Sequence, residues 1–192
     1  SLITGANNNG KTCYISGLGL SQALFQAGCP ILSDRAALRI KEKILTHFVR
    51  PGDMKLNQSR FAHECERVLT LIEDISSDSL ILCDELFTGT APQDGEVVSK
   101  LLLETLMQTG ATLFFVTHYH ALGDHFRDSP YVSRLCCKLD HTVEPPAYTY
   151  KIKPGISRDS DGLVIASEYG VNINNLKNLI AQKSRRGDIK LR

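Results

Sequence analysis

Eight residues near the start of the chain have the types and spacing of a phosphate-binding loop. Gly5 to Thr12 read G-A-N-N-N-G-K-T, which matches the pattern G-x-x-x-x-G-K-[ST]. Glycines let backbone N–H groups curl around phosphates, the Lys11 ammonium reaches the β- and γ-oxygens, and the Thr12 hydroxyl binds Mg²⁺. The spacing therefore predicts a site for a nucleoside triphosphate and magnesium. The residues expected to hold the nucleotide are Gly5, Ala6, Asn7, Asn8, Asn9, Gly10, Lys11, Thr12 and Cys13.

The residues on either side of this loop favour that prediction over the alternative, a Gly/Asn-rich turn that happens to precede a lysine. Apolar Leu2 and Ile3 come before the loop, and residues 13–27 are predicted to be helical. A helix that begins at the lysine directs its positive end toward the phosphates.

A pair of adjacent carboxylates supplies what a phosphate-binding loop lacks. Asp84 and Glu85 follow a continuous apolar run, residues 79–83, which predicts a strand buried on both faces of a parallel sheet. Neighbouring side chains at a strand tip point to different sides, so Asp84 is predicted to hold Mg²⁺ through its water shell and Glu85 to act as general base. His118 ends another apolar run, residues 111–117, where its imidazole can hydrogen-bond the γ-phosphate. An ordinary strand-end histidine is the alternative for His118.

The elements that must position these residues alternate between strands and helices. This alternation predicts an α/β fold with a mainly parallel central sheet flanked by helices. Gly28 and Pro30 are expected to stop the first helix and to lead into a short strand at residues 31–32, whereas residues 36–49 fit neither pattern. Further helices are predicted at residues 59–74, with Ser59 as the cap, 95–109, 162–170 and 173–185.

Two weaker β-like segments in the last third predict an antiparallel addition to the sheet. Residues 131–140 and 147–152 are expected to form a hairpin around a turn at residues 144–146. The sheet is therefore predicted to be mixed at one side.

Composition limits what the chain does by itself. Its 192 residues fit one domain, 42% of them are hydrophobic, and no run is long enough to span a membrane. The net charge of +1 provides no strong field for nucleic acid. Six cysteines without a C-x-x-C pair indicate reduced thiols in an intracellular protein. A phosphate-binding loop this close to residue 1 predicts that the chain is a piece of something longer.

Taken in order, these motifs resemble the ATPase domain of MutS-type DNA mismatch-repair proteins. The resemblance covers essentially the whole chain, and its most specific parts are the Gly-Thr…Asp-Gly stretch of residues 89–95 and Thr117-His118-Tyr119. The other motifs that carry it are Ser59-x-Phe61-x-x-Glu64, Asp84-Glu85, and residues 150–155 and 160–170.

The resemblance implies a P-loop NTPase of the ABC-ATPase type, a single domain over residues 1–192, in which two facing domains enclose two molecules of ATP with Mg²⁺. The residues it implies in cis are Lys11, Thr12 and Asn7 at the phosphates and Mg²⁺, Asp84 at the metal's water shell, Glu85 at the attacking water, and His118 at the γ-phosphate.

The second domain of such a pair would complete each site. Ser59 would act in trans at the γ-phosphate, where a helix N-terminus also favours the anion, and Asp94 would lie at the seam between the domains. The resemblance thus implies a homodimer, or a pair with a related MutS-like partner, formed through the ATPase face. DNA would be bound by domains absent from this chain. We expect the protein to be cytoplasmic and nucleoid-associated in a prokaryote, or nuclear in a eukaryote, and not in a membrane.

Three departures from the family pattern stand out. Asn9 occupies a position where the family usually has glycine, although asparagine tolerates positive φ better than most residues. Phe87 replaces the glycine of a usual Gly-Arg pair, and the aromatic residue that usually stacks on adenine lies upstream of the loop, outside this chain. The sequence leaves open whether the chain belongs to a repair protein or to a MutS-like paralogue.

Two other functions are alternatives to an ATPase that switches a DNA-bound dimer. One is an ATP-dependent dimerisation switch with little turnover, against which the presence of Glu85 argues. The other is an ABC ATPase of the SMC or transporter type, which would carry a Leu-Ser-Gly-Gly-like signature where this chain has L-N-Q-S-R-F at residues 56–61.

Overall fold

A six-stranded sheet forms the centre of the computed structural model, which describes residues 1–48, 59–143, 146–159 and 162–186. The strands are β1 (Leu2–Gly5), β2 (Ile44–His47), β3 (Leu80–Asp84), β4 (Thr112–Val116), β5 (Arg134–Asp140) and β6 (Ala147–Pro154). They lie in the order β2-β3-β4-β1-β5-β6, and every neighbouring pair is parallel except β5 and β6. The predicted α/β fold with a mainly parallel sheet and an antiparallel addition is confirmed.

Helices flank this sheet along the described residues. They are α1 (Lys11–Gln26), α2 (Arg60–Glu73), α3 (Pro92–Leu106), α4 (His120–His125), α5 (Gly162–Glu168) and α6 (Ile173–Arg185). The predicted cap of α2 is confirmed, because Ser59 Oγ accepts a hydrogen bond from the Ala62 backbone N–H at 3.2 Å. Helix α3 begins before the predicted Gly95, since Pro92 is pre-organised for a first helical turn. None of the described helices is long and apolar enough to cross a membrane.

One predicted strand is wrong. Residues 31–32 are not extended into the sheet, and Leu32 is 70% exposed. The strand that joins the sheet is instead β2, which lies inside the unplaced segment 36–49 and pairs with β3. The apolar dipeptide misled the prediction because two residues without a partner strand bury too little surface to be held. The predicted loop at residues 51–53 lies outside the described residues, as do two residues of the predicted turn at 144–146.

Apolar side chains cover both faces of the sheet. On one face Ile81 and Phe115 pack with buried residues of α2, α3 and α4. On the other, Ile3 and Val116 pack against Ile15 of α1. Each fully buried side chain of this size contributes about 1.5–3 kcal/mol relative to an exposed one. The central strands are thereby fixed, and with them the loops that follow their carboxyl ends.

The antiparallel pair β5–β6 contains a bulge. Cys137 pairs with Ile152 and Leu139 pairs with Tyr148, so three residues of β6, 149–151, lie opposite Lys138 alone. A bulge interrupts the ladder of hydrogen bonds and turns a side chain in a new direction. Here it turns Tyr150, whose φ is 53°.

Candidate nucleotide site

The loop from Gly5 to Gly10 joins the carboxyl end of β1 to the first turn of α1. Its backbone adopts positive φ at Gly5, Asn8 and Gly10, with values of 145°, 57° and 83°. At Gly5 a side chain would also collide with the Cys137 carbonyl of β5. Asn9 occupies the position where the family usually has glycine, but its own φ is not positive. The glycines of the motif are therefore required by the path of the chain itself.

The Lys11 side chain folds back over this loop. Its Nζ donates hydrogen bonds to the carbonyls of Gly5 and Ala6, both at 2.8 Å, and lies 3.6 Å from Glu85 Oε1. Only 4% of the side chain is exposed. The ammonium is thus held at the mouth of the loop, where phosphate oxygens would meet it.

Thr12 and Asp84 meet although they are 72 residues apart in the chain. Thr12 Oγ1 donates to Asp84 Oδ2 at 2.8 Å, and Asp84 Oδ1 is buried without a hydrogen-bond partner among the described residues. Burial raises the pKa of Asp84, and the Thr12 hydrogen bond opposes this. A hydroxyl beside an unsatisfied carboxylate oxygen is a donor set that fits Mg²⁺.

Glu85 follows Asp84 in a left-handed backbone conformation, with φ of 47°. Its backbone N–H donates to the Val116 carbonyl of β4 at 3.0 Å, which ties the end of β3 to the end of β4. The unusual conformation separates the two carboxylates, as expected from their adjacent positions. Asp84 lies at the Thr12 hydroxyl, and Glu85 is partly exposed near the Lys11 ammonium.

Lys11, Thr12 and Glu85 line a cleft of about 960 Å³, whereas Asp84 is buried beside it and is hydrogen-bonded to Thr12. The predicted residues among those that line it are Asn7, Asn8, Gly10, Lys11, Thr12, Cys13 and Glu85. The others are Tyr14 of α1, Tyr150 and Ile152 of β6, and Ile165 of α5. Sequence reasoning missed this second, more apolar group. The motif at residues 150–155 was the signal available, but its place beside the phosphate loop depends on the sheet.

Six of the predicted site residues do not line the cleft: Gly5, Ala6, Asn9, Asp84, His118 and Ser59. The first three belong to the phosphate loop and Asp84 is hydrogen-bonded to Thr12, but His118 and Ser59 lie elsewhere. His118 lies between β4 and α4, and its ring is 4.4 Å from that of Tyr119. Ser59 is exposed at the N-terminus of α2. The structure thus brings Lys11, Thr12, Asp84 and Glu85 together within the chain but leaves the roles of these two residues as predictions.

Tyr119 joins two of the specific motifs. Its hydroxyl donates to the Phe87 carbonyl at 2.8 Å. The same hydroxyl occupies the space that a side chain at position 95 would fill, which Gly95 leaves empty. Phe87 is 1% exposed and has φ of 61°, a conformation that costs a bulky residue free energy and that glycine adopts readily. The Phe87 ring compensates by packing edge-on against Phe61, with centroids 6.0 Å apart.

The loop after Glu85 also contacts α2. The backbone of Gly89 lies so close to Phe61 that an added Cβ would be 2.8 Å from the Phe61 nitrogen. Arg60 donates to Glu64 Oε1 at 3.1 Å and to Thr88 Oγ1 at 2.5 Å. The helix that carries Ser59 and the loop that carries Glu85 are therefore in direct contact.

The fold and the cleft define the class: a P-loop α/β domain whose phosphate loop opens onto a cleft at the carboxyl edge of its parallel strands. Comparison with known proteins then gives the family, because a family model for MutS domain V matches residues 1–184. The chain belongs to the MutS domain V family, the ATPase domain of MutS-family DNA-repair proteins.

Individual relatives agree with this assignment. The chain is 30% identical over 186 residues to endonuclease MutS2 of Thermotoga neapolitana, covering 95% of this chain and 24% of that protein. Endonuclease MutS2 of Streptococcus uberis is 31% identical over 171 residues, covering 88% of this chain and 22% of the relative. DNA mismatch repair protein MSH3 of Yarrowia lipolytica is 31% identical over 175 residues, 89% of this chain and 17% of the relative. The chain spans about a quarter or less of the length of these relatives.

Proposed function

We propose that the chain binds ATP with Mg²⁺ in the cleft and hydrolyses the γ-phosphate by attack of water. The observation that carries this proposal is the convergence of Lys11, the Thr12–Asp84 pair and Glu85 at the carboxyl edge of the sheet. Membership of an ATP-binding family supports the identity of the nucleotide.

The phosphates would be bound first by charge and by backbone donors. Their oxygens would replace the two carbonyls that now accept from Lys11 Nζ, and the N–H groups of the loop and of the first turn of α1 would surround them. Thr12 and Asp84 would hold Mg²⁺, which when bound neutralises charge on the β- and γ-oxygens. The unsatisfied Asp84 Oδ1 supports this, because a buried carboxylate oxygen without a partner is costly unless a ligand uses it.

Glu85 would act on the attacking water. Its carboxylate is partly exposed in the cleft and 3.6 Å from Lys11 Nζ, which supports a position near the γ-phosphate of a bound nucleotide. A base positioned in this way contributes about 10²–10⁴-fold to a rate. His118 is proposed to contact the γ-phosphate once nucleotide is bound.

Tyr150 would provide the platform for the nucleobase. Its ring lies against Gly10, where an added Cβ would be 3.3 Å from Tyr150 Cδ1, and Ile152 and Ile165 extend the same apolar wall. A base at the end of a triphosphate held by the loop would reach this wall. Stacking of a base on an aromatic ring contributes about 1–3 kcal/mol.

We further propose that two such domains face each other and complete each other's site. Ser59 caps an exposed helix N-terminus, an arrangement suited to a γ-phosphate presented by a second domain. Residues 1–192 would be one ABC-type ATPase domain of a longer MutS-like protein, whose other domains bind mismatched or otherwise structured DNA. ATP-driven closure of the dimer would then report DNA binding. Such a protein would act in the cytoplasm at the nucleoid, or in the nucleus of a eukaryote.

Hydrolysis measured against protein concentration tests the proposal. With Mg²⁺ present, the specific activity should rise with concentration because each site needs a second domain, and Lys11→Ala and Ser59→Ala should lower it. Glu85→Gln should lower kcat at least about 100-fold while ATP affinity stays within about threefold, since only the base is removed.

Other outcomes of these measurements would contradict parts of the proposal or support a different function. Undiminished turnover in Glu85→Gln would refute Glu85 as the base, and activity independent of concentration would refute the composite site. ATP binding with no turnover at any concentration would instead indicate a dimerisation switch.

A further inference from the structure

Both polar atoms of the Asn9 side chain form hydrogen bonds with residues far along the chain. Asn9 is 0% exposed; its Nδ2 donates to the Lys138 carbonyl of β5 at 3.1 Å, and its Oδ1 accepts from the Tyr150 N–H of β6 at 3.0 Å. The orientation of the amide is dictated by its neighbours, because a carbonyl only accepts and a backbone N–H only donates. The middle of the phosphate loop is thereby joined to two strands from the far end of the chain.

These two hydrogen bonds lie at the β6 bulge. Lys138 faces three residues of β6, so the regular ladder is interrupted there. The Lys138 carbonyl accepts from Asn9 and from Thr149 Oγ1, the latter at 2.7 Å, and the Tyr150 N–H donates to Asn9. The Asn9 amide therefore forms the hydrogen bonds to the Lys138 carbonyl and the Tyr150 N–H that regular strand pairing would otherwise provide.

Tyr150 needs such a restraint. A tyrosine with φ of 53° is in a conformation that side chains with a Cβ rarely adopt. Tyr150 is 66% exposed, and the contacts of its ring with Gly10 and with the Tyr148 ring, 5.9 Å away between centroids, leave most of it open to solvent. The hydrogen bond from its N–H to Asn9 joins this strained backbone directly to the phosphate loop, in addition to the contact of the ring with Gly10.

We propose that Asn9 is a positioning residue that sets the Tyr150 ring relative to the phosphate loop, so that the base and the phosphates of a nucleotide are bound by one connected unit. This inference rests on the proposed function, in which Tyr150 stacks on the nucleobase. Asn9 was predicted to hold the nucleotide, but its side chain is buried and does not line the cleft, so it would act through the backbone of Tyr150. A glycine at position 9 has no side chain and cannot provide this link.

Two ligands separate the base contact from the phosphate contacts. Binding of Mg-ATP and of Mg-tripolyphosphate, which has no base, is measured for the wild-type chain, Asn9→Ala, Tyr150→Ala and the double variant. Asn9→Ala should weaken Mg-ATP binding about tenfold, as Tyr150→Ala does, and change tripolyphosphate binding less than about twofold. The double variant should lose no more than either single one, since both act on one contact.

Gln22→Ala is the matched control. Gln22 is a buried amide of α1 that also donates to a backbone carbonyl, that of Arg39, but it does not line the cleft. Its removal should lower stability without changing the ratio of the two affinities. A merely structural role of Asn9 would give the same pattern as this control, with both ligands affected equally, and would overturn the proposal.

Amide hydrogen exchange of the nucleotide-free chain provides a test that needs no ligand. The Tyr150 amide should exchange at least about tenfold faster in Asn9→Ala than in the wild type or in Gln22→Ala, because its acceptor is gone. Unchanged exchange would overturn the proposed link. A wild-type chain that binds neither ligand would refute the proposed function itself, an outcome distinct from altered selectivity between the two.

Discussion

Lys11 and Asp84 form hydrogen bonds with neutral groups of their own chain, in addition to the ion pair of Lys11 with Glu85. Lys11 Nζ donates to two loop carbonyls, and Asp84 accepts from the Thr12 hydroxyl. Neutral partners are weaker than charged ones, so phosphate oxygens and a metal ion can replace them at small cost. The side chains are in this way placed before the nucleotide arrives, and less ordering remains for binding to bring about.

Asp84→Asn should separate stability from function. Burial raises the pKa of Asp84, so its ionised form opposes folding at neutral pH, and the neutral amide should raise the Tm of the nucleotide-free chain by a few degrees. Mg²⁺-dependent hydrolysis should fall at least about 100-fold, because the carboxylate proposed to hold the metal is gone. Thermal unfolding and a Mg²⁺ titration of turnover measure the two effects. An unchanged Mg²⁺ requirement would contradict the assignment of Asp84.

Close backbone contacts join the elements that carry the motifs. Helix α3 approaches the loop after β3 only because Gly95 leaves room for the Tyr119 hydroxyl and the Phe87 carbonyl. Gly89 in turn allows that loop to touch the first turn of α2. Small residues at these points explain why the motif at 89–95 begins and ends with glycine.

Gly95→Ala should destabilise the chain by about 2–4 kcal/mol, combining a steric clash with the loss of the Tyr119 hydrogen bond. Hydrolysis should fall as well, because the loop after Glu85 would shift. Gly17→Ala is the matched control: Gly17 is in α1 with nothing within 4 Å of an added Cβ, and alanine there should stabilise by up to about 1 kcal/mol. Urea unfolding of both variants checks this, and equal effects would show that the contact is unimportant.

In the molecule as a whole, the residues with proposed chemical roles lie at one edge of the sheet. The phosphate loop, Asp84-Glu85 and His118 follow the carboxyl ends of β1, β3 and β4, which are neighbours in the order β3-β4-β1. The same sheet buries a histidine at its β2 edge, His47, which is 1% exposed and lies opposite Cys83 in register. Global stability should therefore depend on pH through this residue.

Burial, with a smaller contribution from the Arg67 charge, lowers the pKa of His47 from 6.5 to about 4. Because the folded value is below the unfolded one, the stability is fully present above about pH 6.5 and is lost as the pH falls toward 4, by at most about 3 kcal/mol. Urea unfolding from pH 7.5 to 4 measures the loss, and His47→Gln should remove that part of the slope. An equal slope in the variant would assign the loss to carboxylates instead.

Much of the fold and half of the site follow from short stretches of sequence. The phosphate loop, the buried strand ending in Asp84-Glu85, and the Ser59 cap were predictable because each depends on neighbours in the chain. The dipeptide at 31–32 was misleading, since a strand needs a partner and β2 found one in β3. Short apolar segments do not reveal their partners.

What the sequence by itself determined was therefore the identity of the groups proposed to bind phosphate and metal. Only the tertiary structure decided which groups line the rest of the cleft. Tyr150 reaches the cleft, and Asn9 reaches Tyr150, through a hydrogen bond between residues 141 positions apart, at a bulge that exists only once β5 and β6 have paired. The physical reason is that helix caps, turns and motif spacing depend on residues close together in the chain, whereas burial and strand pairing join parts of the chain that no local pattern connects.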